Sequence, residues 1–167
     1  MSELEYWIDA TNPANHELSI RVQLPCDATT EVTLFLPSWT PGSYLIRDYA
    51  RHLSRVEAFD PATGHPLTCH KASKNRYVVT KDDAEVIELR YRVYCHELSV
   101  RTSHVDSSHA FWNHACILLW PVDQRDLAAV INIEQEAGSR LFCTLQSPDK
   151  QDGEANITRL RANDLDD

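Results

Sequence analysis

The chain alternates. In His16 to Leu24, the residues Leu18, Ile20, Val22 and Leu24 fall on one face, and Glu17, Ser19, Arg21 and Gln23 fall on the other. Successive side chains of a strand point to opposite faces, so this spacing predicts a half-buried strand. The pattern returns in Val32, Leu34 and Leu36, and again in Ile87, Leu89, Tyr91 and Val93 with Glu88, Arg90 and Arg92 opposed. One wet face per strand is the mark of an antiparallel sheet. Weaker strands are expected at Leu4–Ala10, Arg55–Phe59, Tyr77–Thr80, Leu98–His104, Cys116–Trp120, Ala129–Glu136, Leu141–Leu145 and Ala155–Leu160. Asn12-Pro13, Asp60-Pro61-Ala62-Thr63-Gly64, Ser147-Pro148-Asp149 and Gln151-Asp152-Gly153 carry turn chemistry between them. One short helix is expected, within Tyr44–Leu53, where Leu45, Tyr49 and Leu53 recur four apart behind a possible Ser43 cap. The fold class is therefore all-β, an antiparallel β-sandwich-like domain with one short helix.

At 167 residues the chain suits a single domain, and 43% hydrophobic with 25% charged residues is ordinary globular usage. Residues 1–162 read as the β-domain and 163–167 as a truncated boundary segment, since the acidic end lacks a packed final strand. More chain is expected to follow. A net charge of -9 argues against nucleic acid, whose phosphates demand Lys and Arg. No run approaches the ~20 apolar residues of a membrane helix, and the acidic start does not resemble a secretory leader. A cytoplasmic location is expected, with Cys26, Cys69, Cys95, Cys116 and Cys143 reduced and mostly buried as small hydrophobes.

Chemistry is sparse. His16-Glu17-Leu18-Ser19-Ile20 and His96-Glu97-Leu98-Ser99-Val100 each begin like a zinc-protease HExxH and lack its second His. Both lie in strand-like sequence, where positions i and i+4 are about 13 Å apart, too far for one ion. Cys95, His96, His104, Asp106, His109, His114 and Cys116 include zinc's preferred ligand types. Their spacing is loose, and separate histidines are the simpler reading. Only four glycines argue against phosphate-binding loops, and no Gly-x-Ser-x-Gly elbow is present.

The densest segment is Pro37-Ser38-Trp39-Thr40-Pro41-Gly42-Ser43-Tyr44-Leu45-Ile46-Arg47-Asp48-Tyr49-Ala50-Arg51. Pro41 sets φ for one turn position and Gly42 accepts the positive φ of the next, so the pair predicts a type II reversal. Trp39 and Tyr44 read as packed aromatics, and Arg47-Asp48 with Arg51 as an ion-paired group on the helix. Arg101 reads as a buried partner for Asp106 or another carboxylate, with a structural role.

This segment resembles the signature of the N-terminal domain of the glycyl aminopeptidase family, zinc metallopeptidases that usually carry a C-terminal PDZ domain. Val93 to Asp106, ending Arg101-Thr102-Ser103-His104-Val105-Asp106, and Phe111-Trp112-Asn113-His114 are similar to two further family blocks in the same order. The resemblance implies a non-catalytic β-domain that precedes a thermolysin-like catalytic domain and borders its cleft. The parent would hold the zinc, while this chain would hold no cofactor and be inactive alone. Its partners would be its own catalytic domain and a peptide with a free amino end. By position, Asn113 would meet that amino end and Trp112 would wall the pocket, although a turn residue and a packed aromatic account for both more simply. His114 departs from the family's usual Gly. The alternative is a stand-alone β-sandwich module binding peptide or carbohydrate through Trp and Tyr.

Overall fold

The computed structural model describes residues 3–26, 29–40, 43, 45–145 and 156–164. Pro41, Gly42 and Tyr44 lie outside them, as do the turn clusters of residues 147–149 and 151–153. Twelve strands are described: β1 Leu4–Asp9, β2 Glu17–Pro25, β3 Glu31–Phe35, β4 Leu53–Phe59, β5 Pro66–Ser73, β6 Arg76–Thr80, β7 Val86–Tyr94, β8 His104–Val105, β9 Ala110–Phe111, β10 Trp120–Pro121, β11 Ala129–Glu134 and β12 Ile157–Ala162. Ten form one sheet in the order β10-β3-β6-β5-β4-β7-β2-β1-β11-β12, and β8 pairs with β9.

Alternation sets the register. β2 lies antiparallel to β7 with Leu18 opposite Val93, Ile20 opposite Tyr91, Val22 opposite Leu89 and Leu24 opposite Ile87. β1 extends the same face, placing Tyr6 against Val22 and Ile8 against Ile20. A one-residue slip would turn each of these side chains into water, so the apolar pattern admits one pairing. The pairing of β1 with β11 is parallel, with Leu4 opposite Ala129 and Ile8 opposite Ile133. The sheet is thus antiparallel apart from this pair, which two distant strands can form without any tight turn.

The sheet curls so that the edge strand β10 lies over β1, which is itself two strands in from the other edge, and this gives the sandwich-like core. Tyr6 on β1 stacks on Trp120 of the edge strand β10, their ring centroids 5.9 Å apart. Its hydroxyl donates to the Leu119 carbonyl at 2.8 Å. Tyr91 on β7 donates to the Ile117 carbonyl at 3.0 Å and accepts from the Leu119 N–H at 3.1 Å. Both phenols are buried, and burial raises their ionisation above the ordinary tyrosine value. On the outer face, Arg21 and Arg90 stand opposite each other. Buried Glu88 offsets their repulsion, with Arg90 Nη2 at 2.6 Å, Arg21 Nη1 at 3.7 Å, and an amide hydrogen bond from Gln23 at 2.8 Å.

Several local expectations differ. The helix is one 3₁₀ turn, Tyr49–His52, because Leu45 and Ile46 find no core and stand exposed. Residues 98–103 form a turn, closed by Thr102 hydroxyl and N–H bonds to the carbonyls of Glu97 and Ser99, and only His104–Val105 is strand. Cys116 ends a 3₁₀ turn, His114–Cys116. Residues 141–145 hold no strand. β5 had no signal, since His70, Lys71, Ala72 and Ser73 are all exposed and supply no apolar face.

Tyr91→Phe strands two buried backbone groups at once, each of which costs about 1–3 kcal/mol when left unpaired. Urea unfolding is expected to show a loss of about 2–4 kcal/mol. A loss within error of zero would contradict the anchoring role.

Candidate functional site

The signature loop and the Phe111-Trp112-Asn113-His114 block meet across one cleft of about 320 Å³. Its walls include Phe35, Trp39, Phe111, Trp112, Asn113 and Phe142. Trp39 is 45% exposed, Phe111 42% and Phe142 89%. Large aromatics are normally covered, so these half-open rings gather into one exposed apolar surface. Arg125 also lines the cleft, and its guanidinium lies 6.0 Å from the Phe35 ring centre.

Local bonds hold each wall. The Arg47 N–H donates to the Ser38 carbonyl at 2.7 Å, and the Ser43 N–H donates to Thr40 at 3.0 Å, which fastens the loop that presents Trp39. On the other wall, Asn113 Oδ1 accepts from the Ala115 N–H at 2.9 Å and caps the 3₁₀ turn, as Asn does at helix starts. The oxygen keeps a second lone pair for a donor in the cleft. Beside it, burial pushes the His114 imidazole down to about 4, and its Nε2 is buried without a hydrogen-bond partner. The segment that follows is the one the two buried tyrosines tie to the sheet.

Other expected residues take different parts. Arg47 does not ion-pair with Asp48. Its half-buried side chain runs beside Tyr49 and Cys116, while Asp48 is exposed and provides no side-chain cap. Arg51 instead pairs with Glu97 at 2.5 Å, across 46 residues. Arg101 is exposed and is not the partner of Asp106. That carboxylate accepts from the Ser108 hydroxyl and N–H, the His109 N–H and His104 Nε2, and these hold it well below the usual carboxylate range. Burial pushes the Cys95 thiol up to about 12 and the Cys116 thiol up to about 11, so both behave as small apolar side chains.

The two HE pairs come together without forming a protease site. His16 sits at a left-handed φ of 54° just before β2, and His96 follows β7. Their rings lie 3.8 Å apart at the ends of neighbouring strands, with no second His one helical turn away. The imidazoles continue in a row from His96 to His104 at 5.3 Å and on to His109 at 5.0 Å. Sequence spacing gave no sign of His16 in this row, and the Phe35 and Phe142 walls of the cleft were also missed. Phe35 comes from β3 and His16 from just before β2, while Phe142 reaches the cleft from a segment without strand.

The described residues form an all-β fold with an aromatic cleft. The comparisons give it a family. The profile described as Peptidase M61 N-terminal domain matches residues 5–167. An aminopeptidase N family protein from Idiomarina loihiensis is similar in structure, with a TM-score of 0.85, 25% identity, and coverage of 98% of this chain and 27% of that one. An M1 zinc metallopeptidase from Deinococcus radiodurans aligns more loosely, with a TM-score of 0.46, 14% identity, and coverage of 95% and 37%. No curated protein sequence matches. The chain belongs to the Peptidase M61 N-terminal domain family. It spans about a quarter of the length of the Idiomarina protein. No described helix is long and apolar enough to cross a membrane.

Stability should depend on pH through His114. The folded imidazole stays neutral down to about pH 4, whereas the unfolded one protonates near its ordinary value of 6.5. Its contribution is complete above pH 6.5, and up to about 3 kcal/mol is lost as pH falls to 4. In His114→Gln, the fall in unfolding free energy over this window should be shallower by about 1.4 kcal/mol per pH unit. Equal slopes would refute the assignment.

Proposed function

We propose that this chain is the non-catalytic N-terminal domain of a zinc-dependent glycyl aminopeptidase. In this reading it packs on the catalytic domain and borders the cleft that takes a peptide's free amino end. The observation that carries it is the shared cleft, because two blocks of the family signature, 60 or more residues apart, contribute Trp39 and Trp112 to one half-open aromatic surface. The family membership supports it, as does the match to about a quarter of a longer protein described as aminopeptidase N family.

Neither HE pair of this chain fits a catalytic zinc, so the ion and the general base belong to the part of the parent beyond this domain. Zinc there supplies a Lewis acid and an activated water. The residues of this chain act by position. Trp39, Phe111 and Phe142 lose water against the neighbouring domain, and Asn113 offers its remaining lone pair to a peptide ammonium. Orientation of this kind accelerates hydrolysis only where the metal centre is also present.

The test has two arms. The 167-residue chain should bind the separately expressed remainder of the parent, and Trp39→Ser or Phe142→Ser should weaken that binding about tenfold or more. In the intact, chelator-sensitive enzyme, Asn113→Ala should raise KM for glycyl substrates about tenfold. The 167-residue chain alone should hydrolyse nothing. Metal-dependent cleavage by the isolated chain would overturn the proposal, and unchanged binding by both aromatic variants would remove the docking face from it.

A further inference from the structure

We infer that His104, Asp106 and His109 form a binding site for one borderline divalent ion of the zinc type, separate from any catalytic zinc. Their donor atoms all lie within 4.8 Å of one another. Asp106 Oδ2 is 2.9 Å from His104 Nε2, and Asp106 Oδ1 is 3.6 Å from His109 Nδ1. Tetrahedral zinc with ligands at about 2.0–2.1 Å requires donor atoms about 3.3 Å apart, a value that lies between these two. The ion replaces the proton that His104 now shares with Asp106 and displaces the Ser108 hydroxyl, which lies 2.8 Å from His109 Nδ1.

The scaffold is already fixed. β8 and β9 pair His104 with Phe111 and Val105 with Ala110, and the Asp106 N–H donates to the His109 carbonyl at 3.0 Å. Asp106 Oδ1 anchors the turn through the N–H groups of Ser108 and His109. The His104 ring is buried between those of His96 and His109. His109 is half exposed, which leaves the ion a path from solvent and an open position for water.

Two imidazoles and one carboxylate select Zn²⁺, Ni²⁺ or Cu²⁺ over Mg²⁺ or Ca²⁺, which prefer all-oxygen shells. With the ion on Nε2, the remaining proton of His104 sits on Nδ1, which is buried and lacks a partner. Metal-ligating histidines usually have such a partner, and its absence weakens binding by about 10–100-fold. The site is therefore one of moderate affinity. Because β9 runs directly into Trp112 and Asn113, an ion here would stiffen the wall of the aromatic cleft.

The metal-stripped chain is titrated with Zn²⁺ by calorimetry, with the melting temperature followed in parallel. One equivalent should bind and raise the melting temperature. His109→Ala, an exposed change whose folding is checked by circular dichroism, should weaken binding at least tenfold, and Asp106→Asn should act likewise. His96→Ala and Mg²⁺ serve as controls, the first binding zinc as before and the second giving no heat. Absence of binding would overturn the inference, as would full affinity in folded His109→Ala or dependence on His96 in its place. The readout is metal binding by this chain, so failure here leaves the aminopeptidase reading intact.

Discussion

Two buried phenol groups, Tyr6 and Tyr91, tie the segment beside the aromatic cleft to the sheet. The residues at 117–119 are not in regular structure, so their backbone groups need partners. Tyr91 and Tyr6 supply them from β7 and β1. Each ring fills core volume while its hydroxyl satisfies a backbone group that water cannot reach. Everything between Asn113 and Trp120 inherits its position from these bonds.

The aromatic cleft and the histidine row are two faces of that same arrangement. The β8–β9 hairpin carries His104 and His109 and runs through Phe111 into Trp112. Asp106 governs the hairpin by accepting backbone N–H groups at its turn. Its depressed ionisation follows from that donor set, since burial pushes a carboxylate the other way.

The central strands were legible because one side of each is dry. β2 and β7 show this plainly, with every apolar position of Leu18 to Leu24 and Ile87 to Val93 in the core. β5 was silent because both of its faces meet water over residues 70–73, and period two carries no message without a buried side. The apolar spacing of Leu45, Tyr49 and Leu53 suggested a helix, yet Leu45 is 62% exposed and covers no surface among the described residues. Propensity and pattern lost there to the absence of a packing partner. Site residues were legible where a local block held them, as with Trp112 and Asn113. They were hidden where register assembled them, as with His16 beside His96, 80 positions along. Charge partners were the least legible, since Arg51 reaches Glu97 and Arg101 reaches no carboxylate among the described residues.

The parallel pairing of β1 with β11 has a bearing on how the domain comes into being. β1 sits between β2 and β11, and Leu4 waits for Ala129 before its second edge is closed. A chain leaving the ribosome at about 5–20 residues per second therefore carries an open, apolar strand edge for several seconds. Such high contact order slows folding and leaves an edge that other strands could capture. Any domain that follows would begin to emerge only as this edge is being sealed, so the order of synthesis itself would keep the two from folding into one another.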